Sequence, residues 1–208
     1  MSLADAGGCV VVVDVDPPAW LLVPADGEVD AGASTSWREG AAELFALSAE
    51  ADREAGVVPP DVDVEVALDS LLAMAATLGD TSRLAAGFSV PGAWPLPVVV
   101  DAGLTGADAP DLLELGRARG GSPLEAPLID ELPDDVGPGV VVTRFDLDHE
   151  GRIWATVTAA ARRDGLDATA TWRSTDLRLA ALQTPALVEL LGRVRLVARA
   201  DRLQETTR

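Results

Sequence analysis

The stretch from Gly139 to Asp176 constrains the fold more than any other part of the chain. It holds three successive runs, "GVVVTRFDLD", Gly151–Arg163 and "LDATATWRSTD", each alternating between apolar and polar residues. In the middle run Ile153, Ala155, Val157 and Ala159 point one way, and Trp154, Thr156 and Thr158 the other. Such a period of two belongs to strands whose faces differ. The runs are separated by "DHEG" (Asp148–Gly151) and "RDG" (Arg163–Gly165). Both are polar and end in a glycine that adopts the positive φ of a tight turn at little cost. Three antiparallel strands joined by hairpins follow.

The rest of the chain is read around this unit. "CVVVVDV" (Cys9–Val15) is short and β-branched, which predicts a buried strand, and "AWLLVP" (Ala19–Pro24) predicts a second. The prolines between them place the two in a hairpin. Ser36 and Glu39 have capping-box spacing, so a helix is expected over residues 37–55, stopped at Gly56. A second helix, capped by Asp63, carries Val64, Ala67, Leu68, Leu71, Leu72, Ala75 and Leu78 at helical spacing up to Gly79. "RLAAGFSV" and "PLPVVVDAGL" read as strands joined by "PGAW". A short helix is expected in "DAPDLLELGRARGG", then an acidic, Pro-rich loop or irregular edge in "SPLEAPLIDELPDDVGPG". Thr184-Pro185 opens a closing helix with Leu187, Leu190, Leu191 and Val194 on its apolar stripe. The order is ββ-αα-ββ-(α)-βββ-α, an α+β arrangement in which six or seven antiparallel strands pack with three or four helices. Residues 1–200 are expected to form one domain, and residues 201–208 a frayed tail.

Composition narrows the function. Hydrophobic residues make up 48% of the 208, enough for a sizeable core. The net charge of −18 repels phosphate backbones and anionic lipid, so neither nucleic acid nor a membrane is an expected partner. The charge is unevenly placed: residues 1–150 hold 6 Arg against 28 acids, and residues 151–208 hold 10 Arg against 6. That asymmetry suits contact with a basic partner or with another copy. The chain has no Lys, Asn or Tyr, a bias of GC-rich codon supply. Cys9 is the single cysteine, which excludes an internal disulfide and a thiolate metal cluster. No signal-peptide core or membrane span is evident, so the cytoplasm is the expected location.

Few motifs suggest chemistry. Asp146, Asp148, Glu150 and Gly151 imitate the front of a calcium loop, but its twelfth position is Val157, which cannot ligate, and strands flank it where helices are required. A hairpin turn is the better reading. Asp14–Asp16 and Asp61–Asp63 repeat the alternate-acid spacing, the second explained by a helix cap. His149, the single histidine, falls at the turn tip, and Cys9 lies in an apolar strand, so neither suits a nucleophilic site. Without Lys there is no phosphate-loop lysine, and "GRARGG" (Gly116–Gly121) reads as a helix end. No cofactor is expected. Five Trp against three Phe is the more informative excess: Trp154 and Trp172 fall on neighbouring strands, where they are either covered by helices or part of an aromatic surface.

The opening Pro18-Ala19-Trp20 element, the two helices after it, and Arg173-Ser174-Thr175-Asp176 before a Leu-rich closing helix resemble an actinobacterial family of small α+β proteins without an assigned activity. The layout is also similar to the Mog1/PsbP-like fold, whose members tend to be binding or accessory proteins. The resemblance spans most of the chain in pattern, carries over no site residue, and breaks at the acidic Pro-rich insert near residues 121–139. Together these features point to a non-catalytic accessory or protein-interaction domain, acting on a partner or on itself through an acidic, partly aromatic surface with Trp154, Trp172, Arg162 and Arg163 as its binding residues. The alternative is a small-molecule binder or cryptic enzyme with a pocket between sheet and helices, using polar groups such as Asp14, Asp16, Arg144 or Arg173.

Overall fold

Gly139–Leu147, Ile153–Arg163 and Leu166–Ser174 form the three hairpin-linked strands β6, β7 and β8 of a computed structural model that describes residues 9–15, 18–25, 31–119 and 123–198. Their register sets Val157 between Thr143 and Trp172, and Ala159 between Val141 and Ala170. The turn at Asp164-Gly165 has both residues at positive φ (53° and 76°), as a two-residue hairpin loop requires. Before these strands come β1 (Cys9–Val13), β2 (Trp20–Val23), α1 (Ala31–Glu54), α2 (Val64–Ala75), β3 (Ser82–Gly87), β4 (Leu96–Leu104), α3 (Leu112–Leu115) and β5 (Leu128–Glu131). After them come α4 (Leu179–Gly192) and β9 (Val194–Ala198). The fold is α+β: a seven-stranded antiparallel sheet ordered β2-β3-β4-β8-β7-β6-β5, a two-stranded ribbon of β1 and β9, and four helices among the described residues.

Alternation assigns each side chain to a face. On the first face Val98, Val100, Val157, Ala159, Ala170 and Trp172 are buried against Leu187, Leu190 and Leu191 of α4 and against Val11 and Val13 of β1. On the second, Leu84 and Ala86 lie under Phe45, Leu68 and Leu71 of α1 and α2. Farther along that face Val140, Val142 and Ala160 lie under α3. Both faces of the sheet thus carry helices, which explains why its central strands are rich in small apolar residues.

Several expectations are corrected. β1 and β2 do not form a hairpin: β1 pairs with β9 and β2 with β3. Proline has no N–H to extend a ladder, and Trp20 instead sets its ring over Gly87, where a Cβ would approach Trp20 Cζ3 to 3.1 Å. β9 was not anticipated; Val194, expected on the closing helix, is its first residue. α1 begins at Ala31, so Ser36 lies inside the helix rather than capping it, while Gly56 at φ 72° does end it. Asp63 caps α2 as expected, accepting the Val66 N–H at 3.2 Å, but the helix stops at Ala75 rather than running to Gly79. α4 begins at Leu179, six residues before Pro185. A proline ring is tolerated there because Pro185 and Ala181, whose carbonyl loses its donor, are both exposed to water. α3 is a single turn, capped by Asp111 through the Glu114 N–H at 2.8 Å and ended where Arg117 turns to φ 59°. The acidic insert supplies β5 as an edge strand. The tail 201–208 lies outside the described residues.

Candidate functional site

The "DHEG" stretch forms the β6–β7 turn. Asp148 organises it by accepting the Glu150 and Arg152 N–H groups at 2.9 Å each, Arg152 Nε at 2.8 Å and Trp154 Nε1 at 2.9 Å. The Trp154 bond, followed by those from Arg152 and Glu150, holds the Asp148 carboxyl well below the usual carboxylate range. Asp146 points to the second sheet face and pairs with Arg144 at 2.8 Å, and Glu150 pairs with Arg152 at 3.1 Å. The three acids are thus taken up by two arginines, Asp146 by Arg144 and both Asp148 and Glu150 by Arg152. Among the described residues no group of three or more His, Cys, Asp or Glu side chains gathers as a metal site. His149 is exposed at the tip, 3.6 Å from Glu150.

Trp154 and Trp172 sit on adjacent strands but opposite faces. Trp172 is buried in the core beneath α4. Trp154 is half-buried, with the Arg173 guanidinium 4.5 Å above its ring and Arg152 at 5.9 Å. Arg162 and Arg163 diverge in the same way. Arg162 makes a two-pronged pair with Asp167, at 2.6 and 2.8 Å, and reaches the Pro110 carbonyl. That guanidinium, with the Thr105 hydroxyl, holds the Asp167 carboxyl low. Arg163 donates to the carbonyls of Leu191 and Gly192 at the end of α4 and of Val194 at the start of β9. The four residues singled out in the sequence are thus not brought together, and both arginines serve internal contacts. Nor do Asp14, Arg144 and Arg173 converge: Asp14 pairs with Arg195 at 2.6 Å, and Asp16 lies outside the described residues. Cys9 opens β1 opposite Ala198. Asp61 is exposed, and the "GRARGG" stretch follows α3 as a turn, its last two residues outside the described set.

The open edge of the sheet carries a different surface. β5 is its last strand, and all four of its residues are exposed. The Leu132 N–H bonds to the Gly139 carbonyl, so alternation in an antiparallel ladder turns the N–H and C=O groups of Ile129 and Glu131 outward. Leu128 is 57% exposed and Ile129 46%. By register, Leu128 shares a face with Leu147 (51% exposed) and Ile153. Leu124, its N–H on the Phe145 carbonyl, is 48% exposed beside them. Glu125, Asp130 and Glu131 adjoin these residues along the chain, whereas Asp134 and Asp135 line a hollow with Arg163 and Arg195 beyond the Gly139 end of β6; none of the five is in an ion pair among the described residues.

No protein-family model matches this chain, and no curated protein is similar to it. The geometry therefore carries the functional reading alone. Sequence reading assigned the β5 segment to loop or irregular edge because its prolines and acids outweigh four strand residues. "LIDE", two apolar residues followed by two acids, has no period of two and offers no local strand signal.

Proposed function

We propose that the chain is a non-catalytic accessory or interaction domain whose partner adds an extended, basic and apolar segment to the edge of β5. The open β5 edge carries the reading. Unpaired main-chain groups supply affinity for a further strand, and side chains alternating about it supply selectivity. Soluble proteins ordinarily blunt such edges with lysine, proline or a covering element. Pro127 and Pro133 flank β5, yet its own four residues show Leu128 and Ile129 exposed beside Asp130 and Glu131, which make no ion pair among the described residues. A partner strand alternating arginine with β-branched residues would complement both features. A second copy of this chain, at −18, suits that edge less well. The aromatic part of the surface is Trp154 with its stacked arginines, on the adjacent hairpin. No helix among the described residues is long and apolar enough to cross a membrane.

Affinity capture with the wild type and with a Leu128→Asp, Ile129→Asp variant tests the reading. Partners held by the wild type should be lost from the variant, and the Ile129 and Glu131 amides should be protected from exchange in the complex. Equal retention by both proteins would overturn it. Light scattering of the free protein distinguishes self-association from capture of a different chain.

A further inference from the structure

Asp52 is the least expected acid in the molecule. It lies on the inner side of α1, is 4% exposed, and makes no ion pair among the described residues. Its Oδ2 accepts two hydrogen bonds, from Trp94 Nε1 at 2.8 Å and from the Gly92 N–H at 3.0 Å. These bonds tie α1 to the β3–β4 connection. Its Oδ1 accepts none among the described residues. A purely structural tie would be served as well by an asparagine carbonyl, which brings no charge into an apolar surround. The structural role therefore accounts for one oxygen and leaves the charge and the other oxygen unexplained.

The carboxylate lines a cleft of about 560 Å³ between α1 and the β3–β4 connection. Leu47, Ala51, Phe88 and Pro91 make apolar walls and rim, with Leu47 half-exposed at the mouth. Ser48 stands one helical turn before Asp52, so the two side chains share one helix face. Ser48 is itself buried, and its hydroxyl has no hydrogen-bond partner among the described residues. An apolar cleft with two convergent polar groups, one of them an uncompensated carboxylate, has the make-up of a small-molecule site. Among the described lining residues a hard metal ion would find only one carboxylate and too few oxygen ligands.

We infer that this cleft binds a small alkylammonium, its charged head on Asp52 Oδ1 and Ser48 Oγ and its apolar body along Leu47, Ala51 and Phe88. The inference stands apart from the β5 edge and does not depend on it. Titration with n-hexylammonium, followed by calorimetry and by the Trp94 indole N–H resonance, tests it, with hexan-1-ol as the uncharged control. Hexylammonium should bind saturably, shift the Trp94 signal, and bind at least about tenfold more tightly than the alcohol, as expected for a hydrogen bond to a charged group. Asp52→Asn keeps an acceptor for Trp94 and Gly92 and should lose about the same factor. Equal affinity for amine and alcohol, no saturable binding, or an Asp52→Asn variant that binds as the wild type would overturn the inference. Were that variant not to fold, the amine-to-alcohol ratio in the wild type, together with a weakened Ser48→Ala variant, decides the matter.

Discussion

The Asp148 carboxylate and the Trp154 indole meet across the β6–β7 turn at 2.9 Å, and this bond is the largest of the influences that lower the Asp148 pKa. Folding takes the carboxyl below its value in the unfolded chain, about 3.9. The folded state then holds fewer protons at this site. Its contribution to stability is complete above the unfolded pKa and fades as pH falls toward the folded one. Asp148→Asn removes the titration. The gap in urea midpoint between wild type and variant should be widest near neutral pH and narrow at about pH 3 and below. A gap of the same size at both pH values would refute this account.

Asp52 makes a second anchor whose two substitutions should separate. Asp52→Ala leaves the buried Trp94 indole N–H and the Gly92 N–H without acceptors, and α1 loses its tie to the β3–β4 connection. A cost of about 2–4 kcal/mol is expected. Asp52→Asn retains a carbonyl oxygen and should cost clearly less. Denaturant unfolding of both variants checks this, and equal losses would show that charge, not hydrogen bonding, holds the corner.

How far the sequence reveals this molecule depends on the range of the interactions involved. The β6–β7–β8 meander was legible because alternation, glycine turns and cross-strand pairing are all local to Gly139–Ser174. Asp63 at the start of α2 was legible for the same reason, since a cap needs only a residue three positions ahead. The pairing of β1 with β9 joins the two ends of the described chain, and no local pattern encodes it. Pro185 misled because its exposed position inside α4 is a tertiary fact. Of the candidate surfaces, Trp154 and its arginines were visible as an aromatic excess. The tie between Asp52 and Trp94 spans 42 positions and shows in sequence as one acid among 34.

Gln183 tests the opposite kind of polar burial. It is fully buried in α4, and neither its Oε1 nor its Nε2 has a hydrogen-bond partner among the described residues. Its amide stands beside Gly87, close to the Trp20 ring. An amide desolvated without compensation costs about 1–3 kcal/mol. Gln183→Met keeps the length and removes the polar atoms, so it should stabilise the fold by about 1 kcal/mol or more. Thermal unfolding is the measurement, and a lowered midpoint would indicate that the amide has a partner in solution.

Gly139 is fixed by a neighbour rather than by its own torsion angles. It opens β6 beside Ala161 of β7, and a Cβ there would run into the Ala160 carbonyl oxygen and Leu132 Cδ1. Leu132 could change rotamer, but the carbonyl belongs to the central ladder and cannot withdraw without breaking pairing on β7. Gly139→Ala should therefore destabilise by about 3 kcal/mol, as overpacking against backbone does. Gly103→Ala provides the control, because a Cβ at that strand position meets nothing within 4 Å. Its change should stay within about 1 kcal/mol, with strand propensity favouring alanine. Equal behaviour of the two variants in denaturant titration would mean that the strand shifts to accept the methyl group, and β5, paired to the same stretch of β6, would be expected to move with it.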